Sequence, residues 1–175
     1  MSPEALGAEL SRIALETHRS EYAELSEIWR NLDTKAQGLG ALAGIFLAAA
    51  LAWARELPTD ATAPVRAVVI GTIVLLVLTI VAAVFALQVR AVTASPLGPE
   101  TEEMLQDILG KAKDGEQEQR LVAFNNDQIA AWKDTNDAVR GFNESKAQWV
   151  SFGQVTLLIA ALIVATFSSL TVLLK

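Results

Sequence analysis

Few side chains in this sequence could carry chemistry, and three charged ones border apolar segments. Asp33 and Lys35 directly precede one segment without charged residues, and Lys146 directly precedes another. Charges at such a border favour an ion pair or an anchor at a membrane surface. His18 is the only histidine and cysteine is absent, so histidine-based zinc sites, catalytic triads and thiol chemistry are poorly supported. We expect a non-enzymatic protein without metal or cofactor, in which His18 is a solvated surface residue rather than a pH sensor.

Three apolar segments account for much of the chain. They cover residues 36–54, 67–89 and 147–174, and their 19, 23 and 28 residues include no Asp, Glu, Lys, Arg or His. About 20 helical residues cross the ~30 Å hydrocarbon core of a bilayer, and a soluble chain of 175 residues is too short to cover three such helices. The sequence therefore predicts an all-α membrane protein with three transmembrane helices. No signal peptide is evident, so we expect all three to persist.

The positive charges predict the orientation. Eleven of the 14 Lys and Arg residues precede the first apolar segment or lie between the second and the third, and the positive-inside rule places both parts in the cytoplasm. The predicted order is a cytoplasmic amphipathic helix (1–35), TM1 (36–54), a short hairpin on the outer side, which is the periplasmic side if the membrane is a bacterial inner membrane (55–66), TM2 (67–89), a cytoplasmic helical region (90–148), TM3 (149–171) and a C-terminus on the same outer side (172–175). Trp53 and Trp149 then fall at the outer and inner borders, where aromatic residues are enriched.

The two cytoplasmic regions predict long helices of similar length. Ser2 as N-cap and Pro3 as first residue predict a helix that runs with little interruption into TM1. Proline and glycine within 96–99 end the helix after TM2, residues 99–110 predict a short helix, and 116–148 predict a long one. Apolar residues recur at helical spacing at Leu6, Leu10, Ile13, Tyr22, Leu25, Trp29 and Leu32 in the first long helix, and at Leu121, Ile129, Trp132, Val139, Phe142 and Val150 in the second. We expect these stripes to pair as a bundle.

Three asparagines lie close to one face of the second long helix, at Asn125, Asn136 and Asn143. A buried Asn in a helical bundle can set register and oligomeric state. The alternative, which we favour from sequence, is that all three are solvated on a wide polar face.

The apolar segments differ in their small and polar residues. Ala36, Gly40, Gly44, Ala48 and Ala52 recur every four residues in TM1 and predict a ridge for close helix packing, against TM2 or TM3 of the same chain or TM1 of a neighbour. TM2 is expected to be a largely inert, lipid-facing helix.

TM3 is the most polar of the three, and one of its faces combines small and polar residues at Ser151, Gln154, Leu158, Ala161, Ala165 and Ser168. One interpretation of such a face is hydrogen bonding, either between helices or back to its own helix. The other is that the face lines an oligomeric pore, and this is our hypothesis.

The cytoplasmic segments are acidic overall. Residues 1–35 contain seven acids and four bases, and residues 90–148 contain 11 and seven, so no broad basic surface for nucleic acid is predicted. An anionic ligand would need a focused cluster, for which the candidates are Arg120, Lys133, Arg140 and Lys146, contributed by several subunits around a phosphate. The alternative is ordinary solvated or helix-pairing charge. Asp33 could pair with Lys35 or with Lys146.

Two short motifs stand at the borders of TM1 and TM3. The chain reads WRNLDTKAQGLGALAGIF at the first and NESKAQWVSFGQVTLLIAAL at the second. Asp33, Lys35 and Ala36 fit an Asp-x-Lys-Ala pattern, and Asn143 and Lys146 fit an Asn-x-x-Lys pattern. Together they resemble the Pycsar transmembrane effector family and the related SLATT-type membrane effectors of bacterial antiphage defence, which carry these patterns before a first and a later span.

The resemblance implies an inner-membrane homo-oligomer that is silent until infection generates a nucleotide signal, and that then opens or assembles, depolarises the membrane and ends growth. Pycsar-type members respond to cyclic pyrimidine mononucleotides, and related effectors respond to other nucleotide or oligonucleotide signals. This sequence contains no separate globular sensor domain, so either its helices or a signal-producing partner protein would carry the response. A membrane-anchored scaffold or accessory subunit is the alternative, and a holin-like pore is a third possibility.

Overall fold

The computed structural model describes residues 3–89, 106, 110 and 117–173, and the long helices α1 (Pro3–Glu56), α2 (Ala63–Gln88) and α3 (Gln117–Leu173) make up most of these residues. No strand occurs within this part of the chain. Each long helix contains a segment long and apolar enough to cross a membrane. The prediction of an all-α fold with three candidate membrane spans is thereby confirmed. Ser2 and most of the predicted helix at 99–110 lie outside the described residues.

Proline residues explain where α1 ends and where α2 begins. α1 begins at Pro3 and continues without a break to Glu56, shortly before Pro58, because the residue that precedes a proline is disfavoured in a helix. α2 begins at Ala63 with Pro64 in its first turn, where the absent N–H group has no helical partner to lose. This start lies four residues before the predicted one. In the connection, the Ala61 N–H donates to the Pro58 carbonyl over 3.0 Å.

The chain divides into two compact units. We call residues 1–29 and 91–143 the arm unit, and residues 30–90 and 144–175 the span unit. The arm unit therefore contains the first half of α1 and the first half of α3, whereas the span unit contains the second halves of both helices together with all of α2.

In the arm unit α1 and α3 run parallel, because His18 contacts Asn136 and Leu25 contacts Asn143. The buried positions recur at intervals of three, four or seven residues on α3, at Asn125, Trp132, Asn136, Val139 and Asn143. This spacing is typical of knobs-into-holes packing between paired helices. The predicted pairing of the two long helices is thus present in the described residues of this unit.

One part of the predicted stripe on α1 was wrong. Leu6, Leu10 and Ile13 are 50%, 58% and 49% exposed, whereas Ser11 and Leu15 are buried. Counting back from the buried Leu25 in steps of three and four residues leads to Leu15 and Ser11. The apolar residues at the start of α1 therefore lie on a different face from the one that meets α3.

In the span unit α2 runs antiparallel to α3, since Thr79 contacts Thr156 and Phe85 stacks on Trp149. One side of α2 is buried, with Val69, Thr72, Leu76, Thr79, Ala82, Ala83 and Ala86. The expectation of a largely inert, lipid-facing TM2 was therefore wrong for this side. Small residues recur along this side, and they allow the neighbouring helices to approach closely.

The predicted small-residue ridge on TM1 is only partly used. Ala36 is fully buried and Gly40 lies near Ala83, but Ala48 and Ala52 are exposed. The buried positions after Ala36 are instead Leu39, Ala43 and Ala50. A repeat of four residues advances by about 40° per step around a helix of 3.6 residues per turn, so the ridge winds away from the packed side.

Gly153 gives a test of this packing. A Cβ atom there would lie 3.5 Å from Ala82 Cβ and 3.5 Å from Leu39 Cδ1, which leaves room for alanine and for nothing larger. We expect Gly153→Leu to lower the free energy of unfolding by about 1 to 3 kcal/mol through overpacking, measured by thermal or SDS-induced unfolding in detergent.

The matched control is Gly44→Leu, because a Cβ atom on Gly44 has no neighbour within 4 Å. It adds the same apolar volume to a helix of the same unit. Equal destabilisation by the two substitutions would contradict the packing of α3 described above.

Candidate functional site

The most unusual side chain in the span unit is Lys146. Its Nζ atom donates a hydrogen bond to Asp33 Oδ1 over 2.7 Å, and the Lys146 side chain is 0% exposed while that of Asp33 is 31% exposed. An enclosed ammonium group is costly unless it is paired. The sequence left Lys35 and Lys146 open as partners of Asp33. In the structure the partner is Lys146, whereas Lys35 is exposed.

The position of Lys146 on α3 explains its burial. Lys146 precedes the buried Val150 by one helical turn, and Asp33 precedes the buried Ala36 by almost one turn. Val150 and Ala36 belong to one apolar cluster. The helical spacing that buries this cluster also brings the ammonium and carboxylate groups together, at the end of the span unit where the charged residues begin.

The asparagines of α3 form a polar row inside the arm unit. Asn125 Nδ2 donates to Ser11 Oγ over 3.0 Å, Asn136 Nδ2 donates to the His18 carbonyl over 3.0 Å, and Asn143 Nδ2 donates to the Leu25 carbonyl over 2.9 Å. All three asparagines are at least nine-tenths buried. The interpretation that they are solvated was therefore wrong, because each amide finds a hydrogen-bond acceptor on the facing helix.

This polar row is not fully satisfied. Asn136 Oδ1, Asn143 Oδ1 and Trp132 Nε1 are buried without a hydrogen-bond partner among the described residues. A buried polar atom without a partner costs free energy. The arm unit therefore combines a specific alignment with a lower stability than an apolar core of the same size would give.

Glu21 is the centre of a second polar group in the arm unit. It accepts a hydrogen bond from Asn136 Nδ2 over 3.0 Å, lies 3.3 Å from His18 Nδ1 and forms an ion pair with Arg140. Partial burial acts to raise the pKa of Glu21, but the contacts with His18, Asn136 and Arg140 outweigh it and hold the pKa below its ordinary value. The prediction of a solvated His18 needs correction, since its side chain is only 27% exposed.

Sequence reasoning did not single out Glu21. The signal that could have found it is its position one helical turn after His18 and before Leu25, at the edge of the stripe that faces α3. In the part of the chain that the structure describes, no group of three His, Asp or Glu residues is arranged to hold a metal ion.

The four predicted ligand-binding cations have different surroundings. Arg120 and Lys133 are exposed in the arm unit, and Arg140, also exposed, is engaged by Glu21. Lys146 belongs to the span unit and is fully enclosed. A ligand-binding role for Lys146 stays a prediction, and in this arrangement its ammonium group is bonded to Asp33 instead.

All six predicted pore-lining residues are exposed on the span unit, and Leu158 is 60% exposed. Gln154 makes no hydrogen bond among the described residues. The hydrogen bond between helices is formed instead by Thr156, whose Oγ1 lies 2.9 Å from Thr79 Oγ1. Thr166 and Ser169 donate back to the carbonyls of their own helix. Residues outside the predicted face thus make both kinds of hydrogen bond, between helices and back to their own helix.

An apolar crevice opens within the span unit beside the part of that face that follows Leu158. Its volume is about 410 Å³, and all three helices contribute to its walls. Its lining includes Ala161, Ala165 and Ser168 from the predicted pore face. Trp53, in contact with Phe167 at a ring distance of 5.7 Å, also borders the crevice. We call Ser151 to Leu158 the inner part of the predicted face, after the predicted orientation, and the part that is one wall of this crevice the outer part.

No protein-family model, curated protein or solved structure matches this chain. The resemblance to antiphage effectors accordingly depends on the two border motifs and on the span architecture. The structure adds one relation between these motifs. Asp33 of the first is bonded to Lys146 of the second.

The ion pair gives an asymmetric prediction. Asp33→Ala leaves an enclosed ammonium without its carboxylate partner, and we expect a loss of about 3 to 5 kcal/mol in the free energy of unfolding. Lys146→Met should cost less, because Asp33 is 31% exposed and can be hydrated. The double variant should be more stable than Asp33→Ala alone. SDS-induced unfolding followed by circular dichroism measures all three, with Lys35→Met as the exposed control. Additive losses in the double variant would contradict the pairing.

Glu21 gives a pH prediction. Because the pKa of Glu21 is below its ordinary value of 4.5 in the folded chain, its contribution to stability is complete above pH 4.5 and is lost as the pH falls through the lowered pKa. Glu21→Gln should therefore lower the melting temperature at pH 6, and the difference from wild type should shrink as the pH falls below 4.5. Glu24→Gln, on an exposed position of the same helix, is the control. A wild-type advantage that grows as the pH falls below 4.5 would contradict the role of the carboxylate.

Proposed function

We propose that this protein is an oligomeric effector or ion channel of the bacterial inner membrane in antiphage defence. Its N-terminus and the region 90–148 lie in the cytoplasm, and its C-terminus lies in the periplasm. A nucleotide or oligonucleotide signal that acts on the arm unit opens or assembles the channel, depolarises the membrane and arrests growth. The protein carries out no catalysis in this scheme and needs no cofactor.

The observation that carries the proposal is the enclosed Lys146–Asp33 pair. It joins the two motifs on which the resemblance to the effectors depends, and its 2.7 Å bond lies in the span unit where each motif precedes an apolar segment. A buried ion pair adds little stability compared with apolar residues of similar volume. Its value is specificity, since α1 and α3 are favoured only in the arrangement that keeps the two charges together. Such a contact suits a protein with distinct resting and active arrangements.

The arm unit offers a place where an anionic signal could act. Lys133 precedes Arg140 by two helical turns, about 10 Å along the same side of α3, and both are exposed. A phosphate that binds Arg140 competes with the Glu21 carboxylate for the same guanidinium group. Loss of that ion pair weakens a polar row that already contains unsatisfied buried atoms. Binding of the phosphate thereby shifts the equilibrium toward an arrangement in which α1 and α3 are paired differently.

A membrane-anchored scaffold is the second candidate, and one observation favours it. Leu6, Leu10 and Ile13 are about half exposed at the start of α1, and they follow helical spacing on one face. An apolar stripe of this kind is typical of a helix that docks on another protein. In this case the spans anchor the chain and the partner protein carries the activity. A constitutive, holin-like pore is the third candidate, and it gives no reason for the polar contacts of the arm unit.

The proposal is tested by membrane potential. Cells that express the chain are loaded with a potential-sensitive dye and supplied with a cyclic pyrimidine mononucleotide, or with another candidate nucleotide, from a co-expressed synthase. We expect depolarisation only when the signal is present. Arg140→Gln should abolish the dependence on the signal at equal expression, because it removes the ion pair with Glu21 that the signal is proposed to displace. Cells with this variant should be depolarised without any signal. Arg19→Gln, which removes an exposed arginine from α1, is the matched control and should respond as wild type.

The competing candidates predict other outcomes. Depolarisation of wild-type cells without any signal supports the holin-like pore. No depolarisation with any signal, together with a partner protein that is lost on Leu10→Glu, supports the scaffold. A response of Arg140→Gln that still requires the signal would contradict signal action at this residue while leaving the channel itself intact.

A further inference from the structure

We propose that Gln154 of one copy hydrogen-bonds to Gln154 of a neighbouring copy in the membrane, and that this contact makes the inner part of the α3 face a subunit interface. The inference deepens the proposed function, since it names the partner of the polar face on α3 in the resting assembly. Its occupant is a second copy of this chain.

The first step is the environment of Gln154. The residue lies eight positions after Lys146, which is about 12 Å along the helix from the charged border, so its amide group falls within the hydrocarbon region of a spanning α3. It is exposed on the span unit and has no hydrogen-bond partner among the described residues. An amide group facing lipid without a partner is costly, so the isolated chain is an incomplete assembly at this point.

The second step separates Gln154 from the other polar side chains of the same helix. Thr156 is bonded to Thr79, and Thr166 donates to the Leu162 carbonyl over 2.8 Å. A serine or threonine in this position can bond to its own helix, because its short hydroxyl reaches the carbonyl one turn earlier. The longer glutamine side chain projects away from the helix surface. Its amide therefore needs a hydrogen-bond partner outside α3, whereas the hydroxyl groups find one within the helix.

The third step is the choice of partner. A glutamine amide contains two N–H donors and one carbonyl acceptor, so it is complementary to a second glutamine. Lipid tails offer neither group, and symmetry brings the same residue of another copy to the same depth in the membrane. The neighbouring positions on this face, Ser151 and Ala161, are small and allow two α3 helices to approach closely. In the resting assembly, amide contacts across this face hold the inner part of the proposed pore closed.

The absence of cysteine makes disulfide scanning of the full chain straightforward. Single cysteines are placed on the proposed face at Ser151 and Leu158, and on the opposite exposed side of α3 at Phe152 and Ile159. Membranes from cells without a signal are oxidised with copper phenanthroline. We expect disulfide-linked dimers at the first two positions and few at the last two. Equal yields on both sides, or no dimers at the first two, would overturn the interface.

A second set of variants tests the hydrogen bond itself. In a Leu158→Cys background, Gln154→Leu should reduce the dimer yield about threefold to tenfold, which is the range expected for loss of one hydrogen bond between membrane helices. Gln154→Asn should retain part of the yield, since the amide is kept. Thr166→Val is the matched control, because its hydroxyl is already bonded within α3, and it should leave the yield unchanged.

The outcomes are independent of channel activity. An unchanged dimer yield in Gln154→Leu would overturn the amide contact, provided that circular dichroism shows the same helix content. Dimers at the proposed face without any signal-dependent depolarisation would leave this inference standing while the channel proposal fails. Depolarisation that persists without dimers at this face would give the opposite result.

Discussion

An enclosed ammonium group is the constraint on which much of the span unit depends. Lys146 has no exposed side-chain surface and is held 2.7 Å from Asp33. Every element around it must preserve that distance, because a charge left alone in an apolar surrounding costs several kcal/mol. The apolar cluster of Ala36, Ala83 and Val150 therefore packs around a contact that tolerates little displacement. Apolar packing supplies the attraction, and the ion pair selects one arrangement among the several that apolar packing alone would allow.

The arm unit obtains its specificity by a different route. Its core contains three amides at positions where an apolar residue would give greater stability. Each amide donates to particular atoms on α1, and Asn136 donates to two of them. The parallel alignment is therefore defined by hydrogen bonds rather than by volume. The same choice leaves several buried atoms without partners. Proteins that change conformation commonly use elements of low stability for this purpose, and the composition of this core has that character.

Much of the fold could be predicted from the sequence, because the features that decide it are local. Uncharged runs of sufficient length indicated three candidate spans, and the absence of proline between Pro3 and Pro58 indicated one continuous helix. What could not be predicted is which groups meet. Lys35 and Lys146 both border apolar segments, and only the arrangement of α1 against α3 selects Lys146. Burial of the asparagines depended on acceptors of α1, namely two backbone carbonyls and the Ser11 hydroxyl, which no property of α3 reveals. Ala48 and Ala52 leave the side that is packed within the chain, because a repeat of four residues drifts around the helix. Packing of these residues against TM1 of a neighbour stays a prediction.

Two equal intervals in the arm unit limit how this protein can change in length. Seven residues separate His18 from Leu25 on α1, and seven separate Asn136 from Asn143 on α3. Both hydrogen bonds form because the two helices advance by the same amount between them. A single inserted residue in one helix would turn the following side chains by about 100° and leave one asparagine without its acceptor. Insertions and deletions between these contacts therefore preserve the two hydrogen bonds only under two conditions. They must be made in both helices together, and in steps of about seven residues.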